Sequence, residues 1–304
     1  MPSKEHEEVL RHLRQVGALF ANPAAGEPPY QSVRAAMQVL FTAPALESAS
    51  TAPAALAAPK AEWVLAHGCD PDRRLLFLHG GGYIAGSIDT HRNLAMWTSR
   101  VSGCAVLLID YRLAPEHPFP AAVLDAGEAF LWMRRHGPEG AAPARLAAVI
   151  GDSAGGGLTL ALLLWLRERH PDSQADGAVT FSAWTDLSNT APSLVTNQNL
   201  ELGAVKSVVE YFSAQYLQGA DPRDPLASPL FADLSALPPL LMQVSTTEII
   251  SDDSLRFAAK VRASGGRVDL QSWHGLVHVW QGYVPLLPEA SEALERAGAF
   301  IRSL

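Results

Sequence analysis

Short runs of apolar residues alternate with longer stretches of helical periodicity from about residue 60 to the C-terminus. Apolar positions three and four residues apart indicate amphipathic helices, whereas short continuous apolar runs, such as residues 105–109, indicate strands covered on both faces. Alternation of the two is typical of βα units and a largely parallel sheet. The predicted strands are Glu62–Ala66, Arg74–His79, Ala105–Asp110, Ala147–Ile150, Ala178–Phe181, Leu240–Val244 and Val268–Ser272.

Helical periodicity accounts for much of the remaining chain, with helices predicted near residues 4–20, 88–101, 120–136, 154–169, 204–217, 252–264 and 288–302. Residues 43–59 are mostly Ala, Pro and Ser, and their three prolines oppose a long helix, so an irregular connection is expected there. No strand is predicted between Thr185 and Pro229. This stretch follows a strand near the carboxyl edge of the sheet, where it could fold over a site as a lid or form an ordinary surface excursion.

Composition and charge narrow the class of protein. The 304 residues are 48% hydrophobic and carry 23 basic against 31 acidic side chains, a net charge of −8 that argues against a nucleic-acid partner. The uncharged stretch Ser153–Leu166 has 14 residues, short of the roughly 18 that span a bilayer. The N-terminus mixes both signs of charge, unlike a secretory signal. We therefore expect a cytoplasmic protein without stable membrane insertion, in which Cys69 and Cys104 are free thiols rather than a disulfide.

The strongest chemical signal is the G-x-S-x-G pattern at residues 151–155, which stands between a predicted strand and a predicted helix. A nucleophile on such a tight turn needs small neighbours, and Gly151 and Gly155 flank Ser153 as required. The beginning of the following helix also directs N–H groups and the positive end of its dipole at the reacting centre. The alternative is a helix N-terminus that Asp152 or Ser153 merely caps.

A second glycine-rich segment, His79-Gly80-Gly81-Gly82, directly follows another predicted strand. Successive glycines let main-chain N–H groups converge on one point, which is what a developing oxyanion in acyl transfer requires. Three glycines alone are more often a flexible loop or a phosphate-binding turn. The phosphate interpretation is weak here, because no Gly-Lys-Ser/Thr follows and the spacing is not G-x-G-x-x-G.

A serine hydroxyl needs a base, and the residues after the last predicted strand offer His274 and His278. In the chain order Ser, acid, His, the acid comes from the loop after residues 240–244. Glu248, Asp252 and Asp253 are its candidates, and spacing alone does not separate them. Both aspartates also suit the first turn of the following helix, where acids stabilise the helix dipole.

Three segments taken together resemble the hormone-sensitive-lipase family of esterases, the bacterial type IV enzymes. They are the His-Gly-Gly-Gly loop at 79–82, the Asp-Tyr-Arg-Leu-Ala-Pro-Glu segment at 110–116 and the Gly-Asp-Ser-Ala-Gly-Gly turn at 151–156. Further matches occur at 227–230, 237–240 and 278–280. The resemblance covers the chain from about residue 60 onward, and the first 40 or so residues match only loosely.

The resemblance implies a role for individual positions. The family's acid usually opens an Asp-Pro-Leu-x-Asp motif, which here reads Glu-Ile-Ile-Ser-Asp at 248–252, so the acid falls on Glu248 and Asp252 stays an alternative. Glu116 is expected to support the oxyanion loop without taking part in the chemistry, and Tyr111 and Arg112 to have structural roles. The implied site residues are Ser153 as nucleophile, His278 as base, Glu248 as acid, and Gly81, Gly82 and Ala154 as oxyanion donors.

The resemblance also implies the α/β-hydrolase fold, a mostly parallel central sheet flanked by helices, with a helical cap. The catalytic domain would comprise residues 60–185 and 226–304, and the cap residues 1–42 and the insertion 186–225. The implied activity is a serine carboxylesterase for short- to medium-chain acyl esters, without metal or cofactor and with a small-molecule ester as its partner. A homodimer is also consistent with the resemblance, because edge-strand dimers are common in similar proteins. The alternatives are a non-catalytic small-molecule receptor on the same fold, an amidase and a long-chain lipase.

Overall fold

The structure of the protein, a computed structural model, describes residues 2–21, 28–41, 45–201 and 206–304. Its strands are, in chain order, β1 Ala49–Pro53, β2 Lys60–Ala66, β3 Asp70–Leu78, β4 Cys104–Asp110, β5 His136–Gly137, β6 Gly140–Ala141, β7 Leu146–Asp152, β8 Ala178–Phe181, β9 Leu240–Ser245 and β10 Val268–Trp273. Its α-helices are α1 His6–Ala21, α2 Pro29–Met37, α3 Ile88–Ser102, α4 Ala121–Met133, α5 Ala154–Arg169, α6 Ser193–Thr196, α7 Lys206–Leu217, α8 Ser251–Ala263 and α9 Pro288–Arg302.

Eight strands form one sheet in the order β1-β2-β4-β3-β7-β8-β9-β10, and β5 and β6 form a separate small hairpin. Pairing is parallel from β4 to β10, whereas β2 runs antiparallel to both β1 and β4. The carboxyl ends of β7, β8 and β9 therefore lie side by side at one edge of the sheet. In open parallel sheets this edge is where sites form.

Strand β4 shows why the sheet needs helices on both sides. Its alternate residues Ala105, Leu107 and Ile109 pack into one buried cluster, together with α4 and α5. The residues between them, including Val106 and Leu108, pack into a second cluster with α3 and α9. A continuous apolar run is the expected composition for such a strand. The predicted fold class, a mostly parallel sheet flanked by helices, is confirmed.

The prediction of an irregular connection over 43–59 is wrong in part, because residues 49–53 form strand β1. This strand is mostly exposed, with sequence Ala-Ser-Thr-Ala-Pro, and pairs only with β2 at the edge of the sheet. Edge position explains how Pro53 is tolerated and why no apolar alternation marked the strand. Helix α2 and the short α6 were not predicted, and the helix predicted over 120–136 ends at Met133, before the β5–β6 hairpin.

Parts of the predicted elements lie outside the described residues. They are residues 1, 22–27 and 42 of the predicted N-terminal cap part, residues 43 and 44 of the connection, and residues 202–205 of the insertion. In the described part of the chain, Cys69 and Cys104 are free thiols, as expected. Among the same residues, none of the helices has the length and apolar character needed to cross a membrane.

Candidate active site

Ser153 stands on the sharp turn between β7 and α5. Its φ of 52° and ψ of −119° lie in a region that residues with a side chain rarely adopt, so the surroundings must hold it there. The Ser153 N–H donates to the Phe181 carbonyl at 2.8 Å, and the Ser153 carbonyl accepts from the N–H groups of Gly157 and Trp184, each at 3.0 Å. The end of β8 and the residues after it thus fix the turn from the neighbouring strand.

The turn depends on the absence of side chains at two positions. A Cβ at Gly151 would clash with the carbonyl of Gly155, and a Cβ at Gly155 would clash with the carbonyl of Leu78 on β3. Glycine is therefore required on both sides of Ser153 for the strand, the turn and the helix to approach this closely. The pattern at 151–155 forms the strained strand-to-helix turn that the sequence predicted.

His278 follows β10 in a loop that returns to the end of β7. Its Nε2 lies 2.8 Å from the Ser153 Oγ, and its Nδ1 lies 2.7 Å from the Glu248 Oε2. With Nδ1 protonated and donating to the carboxylate, Nε2 is free to accept the hydrogen of the serine hydroxyl. The three residues form one hydrogen-bonded chain, although they are widely separated in sequence.

Glu248 lies in the loop after β9 and is fully buried. Its Oε1 accepts two hydrogen bonds, from the Ser182 hydroxyl at 2.8 Å and from the Ser245 N–H at 2.7 Å. The Ser182 hydroxyl in turn accepts from the Val279 N–H at 3.2 Å, next to His278. One carboxylate oxygen is thus used to hold Glu248, and the other is directed at the imidazole.

The other candidates from the sequence have different partners. Asp252, in the first turn of α8, accepts from the Ser193 N–H at 2.8 Å. Asp253 is buried and accepts from the N–H groups of residues 185 and 186, and burial raises its pKa to about 8. His274 contacts the Thr246 hydroxyl at 3.0 Å. The structure therefore brings Glu248 and His278 to Ser153, and not Asp252, Asp253 or His274.

The electrostatic surroundings favour a positive charge on His278. Burial alone would lower its pKa, but the hydrogen bond and charge of Glu248, with smaller contributions from Glu201 and Asp152, raise the pKa of His278 to about 9. A positive charge on His278 is therefore stabilised by three carboxylates, of which Glu248 contributes most. A general base with a raised pKa is a stronger proton acceptor.

The His-Gly-Gly-Gly loop lies beside Ser153, and its backbone is shaped by glycine. Gly81 and Gly82 have φ values of 121° and 64°, which favour glycine. The Gly80 N–H donates to the Asp152 Oδ1 at 3.0 Å. In the part of the chain that the structure describes, the N–H groups of Gly81 and Gly82 meet no acceptor. The N–H of Ala154, at the first position of α5, has no intrahelical partner either. These are the three donors that the resemblance implied.

A buried polar layer supports this loop from behind. The Asp152 Oδ2 lies 3.3 Å from the Nε2 of His91 on α3, and the Tyr111 hydroxyl donates to the His79 carbonyl at 2.7 Å. The His79 ring stacks on the Tyr111 ring with centroids 4.2 Å apart, and burial lowers the pKa of His79 to about 3, so its imidazole is neutral at pH 7. The structural role expected for Tyr111 is confirmed.

Glu116 acts on the loop only through another residue. Its carboxylate pairs with Arg34 of α2 at 2.7 Å, and the Arg34 Nε donates to the carbonyl of Ile84, two residues beyond the loop. The hydrogen bond from Arg34 lowers the pKa of Glu116 to about 2. The expected support of the oxyanion loop by Glu116 is therefore indirect. Arg112 has a structural role, as expected, in an ion pair with Asp125 at 2.7 Å.

A cavity of about 180 Å³ opens over these groups. Gly81, Gly82, Ser153 and His278 lie in its wall, and most of the remaining wall is apolar. The apolar side chains come from α1, α2 and α7 and from the loops near the site: Leu13, Val16, Val33, Met37, Leu40, Phe41, Trp184, Val208, Val209, Phe212, Ile249, Ile250, Val277, Val279 and Tyr283. The site is thus an apolar pocket with a few convergent polar groups, as ligand sites usually are.

Comparison with known proteins agrees with this geometry. A family model described as the alpha/beta hydrolase fold matches residues 75–282. An acetyl-hydrolase of Streptomyces hygroscopicus is 41% identical over 243 residues, 80% of this chain and 79% of that protein. An esterase of Acinetobacter venetianus is 35% identical over 239 residues, 76% of this chain and 75% of that protein. The crystal structure of an esterase from the bacterial hormone-sensitive lipase family is 38% identical, has a TM-score of 0.90, and covers 100% of this chain and 99% of that one. The chain belongs to the hormone-sensitive-lipase family of α/β-hydrolases.

Several residues of this hormone-sensitive-lipase-family site were not found by sequence reasoning. Ser182, which holds Glu248, follows β8 without a motif, and His91 lies among ordinary helical residues. Glu201 lies in the cavity wall beside Ser153, in a stretch that periodicity left unassigned. Asp152 was part of a recognised motif, but its bond to the Gly80 N–H joins two segments that are separate in sequence. These residues can be identified only from contacts between segments that are far apart in the sequence.

Proposed function

We propose that this protein is a serine carboxylesterase that hydrolyses short- to medium-chain acyl esters through an acyl-enzyme on Ser153. The observation that carries the proposal is the chain of hydrogen bonds from Ser153 through His278 to Glu248, 2.8 and 2.7 Å long, beside the Gly81 and Gly82 N–H groups, which meet no acceptor among the described residues. A nucleophile, a base and a carboxylate in this order are the parts of a serine hydrolase. Two of its relatives are an acetyl-hydrolase and an esterase.

The proposed reaction has two halves. In the first, the Ser153 Oγ attacks the ester carbonyl carbon while its proton passes to the His278 Nε2, and Gly81, Gly82 and Ala154 N–H groups donate to the resulting oxyanion. The imidazolium gives this proton to the alkoxide oxygen as the C–O bond breaks, and the alcohol leaves. In the second half, water attacks the acyl-enzyme, His278 takes its proton, and the proton returns to Ser153 as the carboxylic acid leaves.

The size of the cavity supports the substrate class. The cavity of about 180 Å³ is small, and most of its wall is apolar. An acyl chain of a few carbons and part of an alcohol group fit such a space, and its apolar wall suits them. Because α1, α2 and α7 supply much of this wall, we propose that residues 1–42 and 186–225 serve as the cap over a catalytic domain of residues 60–185 and 226–304.

The proposal is tested by replacing Ser153 with Ala. We expect turnover of a chromogenic acetate ester to fall to background, with the thermal melting temperature unchanged, because the hydroxyl is lost and the backbone turn is kept. Ser264→Ala, at an exposed serine at the end of α8, is the matched control and should keep full activity. Turnover by the Ser153→Ala variant above background would refute the assignment.

The acyl-enzyme and the chain length have separate tests. A soluble aryl ester should give a burst of product before the steady state, close to one equivalent per enzyme, if deacylation is the slower half. A non-catalytic receptor would give no burst. Hydrolysis rates over a series of acyl chains should be highest for short chains and fall once the chain exceeds the cavity. A homodimer through an edge strand of the sheet and a cytoplasmic location stay predictions.

A further inference from the structure

The first part of the cap insertion presents three polar side chains on one face. The Asn197 N–H donates to the Ser193 carbonyl at 3.0 Å, and the Glu201 N–H donates to the Asn197 carbonyl at 3.2 Å. The first bond closes the end of α6 and the second closes a turn after it, and the side chains of Ser193, Asn197 and Glu201 all contact the loop after β9. Val195 and Leu200 of the same segment are exposed, at 59% and 60%. The segment thus has one solvent face and one polar face.

The polar face is directed at the loop that carries Glu248. The Asn197 Nδ2 donates to the Thr246 carbonyl and to the Glu248 carbonyl, each at 2.9 Å. An amide nitrogen has two hydrogens, so these two carbonyls use both of them. Asn197 therefore binds the main chain of the loop at two points, Thr246 and Glu248.

Ser193 and Glu201 extend these contacts. The Ser193 hydroxyl donates to the Ile249 carbonyl at 2.7 Å and accepts from the Asp252 N–H at 3.2 Å. The Glu201 Oε2 accepts from the Ile249 N–H at 2.5 Å. Both main-chain groups of Ile249, the residue after Glu248, are thus bound by the insertion. We call Ser193, Asn197 and Glu201 the cap clamp.

We propose that the cap clamp positions Glu248 for its hydrogen bond to His278, so that the cap insertion is part of what makes the site competent. This inference rests on the role of Glu248 proposed above. The side chain of Glu248 is held by Ser182 and Ser245 of the catalytic domain, whereas its carbonyl is held by Asn197 of the insertion. Glu248 is thus fixed from two sides, and a displacement of the insertion would move its main chain.

Glu201 has a further property, because it also lies in the wall of the cavity. Burial raises its pKa to about 7, and the charge of Glu248 adds to this, while His278 and the Ile249 N–H oppose it. Three carboxylates raise the pKa of His278 through their charge: Glu248, Glu201 and Asp152. A negative Glu201 stabilises the His278 imidazolium in addition to binding Ile249.

The first test compares Asn197→Ala with Leu200→Ala, a matched truncation on the exposed face of the same segment. We expect Asn197→Ala to lower kcat about 10- to 100-fold, because small misplacements of a catalytic group are costly, with KM changed less than about twofold. Leu200→Ala should keep both constants. Asn197→Ala kinetics equal to those of Leu200→Ala would overturn the clamp.

A second test does not depend on turnover. In enzyme carrying Ser153→Ala and ¹⁵N-labelled histidine, the ring of His278 can be titrated by NMR. Adding Asn197→Ala should lower the pKa of His278, because the Glu248 hydrogen bond that raises it is loosened, and adding Leu200→Ala should not. An unchanged His278 titration would overturn the clamp, even where Asn197→Ala had lowered activity through stability alone.

Glu201→Gln separates charge from hydrogen bonding, because the amide oxygen still accepts from the Ile249 N–H. We expect Glu201→Gln to lower kcat less than Glu201→Ala does, and the acid limb of its pH–rate profile to move to lower pH, since the pKa of His278 falls. Glu201→Ala loses the bond as well and should also lose kcat. Equal kcat in both variants would count against the clamp. Failure of the proposed function is distinct, since it would appear as turnover by Ser153→Ala.

Discussion

Replacing Glu248 with Gln tests the acid of the proposed triad with almost no change in size. The amide has one oxygen and one NH2 group, and each of them must occupy the position of one carboxylate oxygen of Glu248. The Ser245 N–H and the Ser182 hydroxyl both donate to the Oε1 position, at 2.7 and 2.8 Å. An NH2 group there would face the Ser245 N–H, donor against donor, so the oxygen takes this position. The NH2 group then points at the His278 Nδ1.

This orientation reverses the proton arrangement on His278. An Nδ1 that accepts from the amide leaves the hydrogen on Nε2, which faces the Ser153 Oγ and can no longer take its proton. The wrong tautomer in such a triad costs about 10⁴ in kcat. That factor corresponds to about 5 kcal/mol of transition-state stabilisation. We expect this loss in kcat, with KM changed little because the cavity wall is kept.

The assay is steady-state hydrolysis of a chromogenic aryl acetate over a range of pH, with Asp252→Asn as the matched control. Asp252 accepts from the Ser193 N–H and does not contact His278, and an asparagine oxygen can still accept that bond. Asp252→Asn should therefore keep kcat within about threefold. A larger loss in Asp252→Asn than in Glu248→Gln would transfer the role to Asp252. A loss of less than about tenfold in Glu248→Gln would refute the tautomer argument.

Three further variants probe the loop, the pocket and the cap. Gly81→Ala should lower kcat about 10²- to 10³-fold. Gly81 has a φ of 121°, and a Cβ at this position would clash with the Ala85 carbonyl and displace the N–H group that is the proposed oxyanion donor. The kinetic control is Gly140→Ala, at a residue that also has a positive φ but whose added Cβ would contact none of the described residues. Gly17→Leu should shorten the range of acyl chains hydrolysed, because a side chain there has open space and enters the cavity. Arg34→Gln should lose about 0–1 kcal/mol of stability above pH 4.5 from the partly exposed pair with Glu116, in addition to a pH-independent loss from its hydrogen bonds to the carbonyls of Ile84 and Ala114. Because Arg34 lowers the pKa of Glu116 to about 2, the part of the loss that comes from the ion pair should shrink as pH falls from about 4.5 to 2, which melting temperatures would show.

Much of the central sheet and the turn at Ser153 were predictable because their signals are local. A buried parallel strand such as β4 is apolar over residues 104–109, and the turn at Ser153 needs glycines at fixed positions, so both leave a pattern in a short stretch of sequence. Strand β1 left none, because an exposed edge strand needs neither alternation nor apolar residues. Its existence depends on pairing with β2, which is not encoded locally.

The same distinction applies within the site. Glu248 and Asp252 could not be separated by spacing, and the resemblance to a family favoured Glu248 before any contact was known. The contacts that distinguish the two residues, to Ser182, Ser193 and His278, each join segments that are far apart in the chain. Glu201 had no signal at all, since an acidic residue in an unassigned stretch is usually solvated surface.

The order of the strands explains why distant residues meet. Strands β7, β8, β9 and β10 are successive parallel neighbours, so the chain leaves the sheet at the same edge after each of them. Ser153 follows β7, Ser182 follows β8, Glu248 follows β9 and His278 follows β10. Because neighbouring strands are about 4.8 Å apart, each of these side chains is within reach of the next. Ser182, which lies between Ser153 and Glu248 at this edge, binds both the Glu248 carboxylate and the main chain beside His278. A residue in that position contributes to the site through its place in the sheet, which is why no motif marks it.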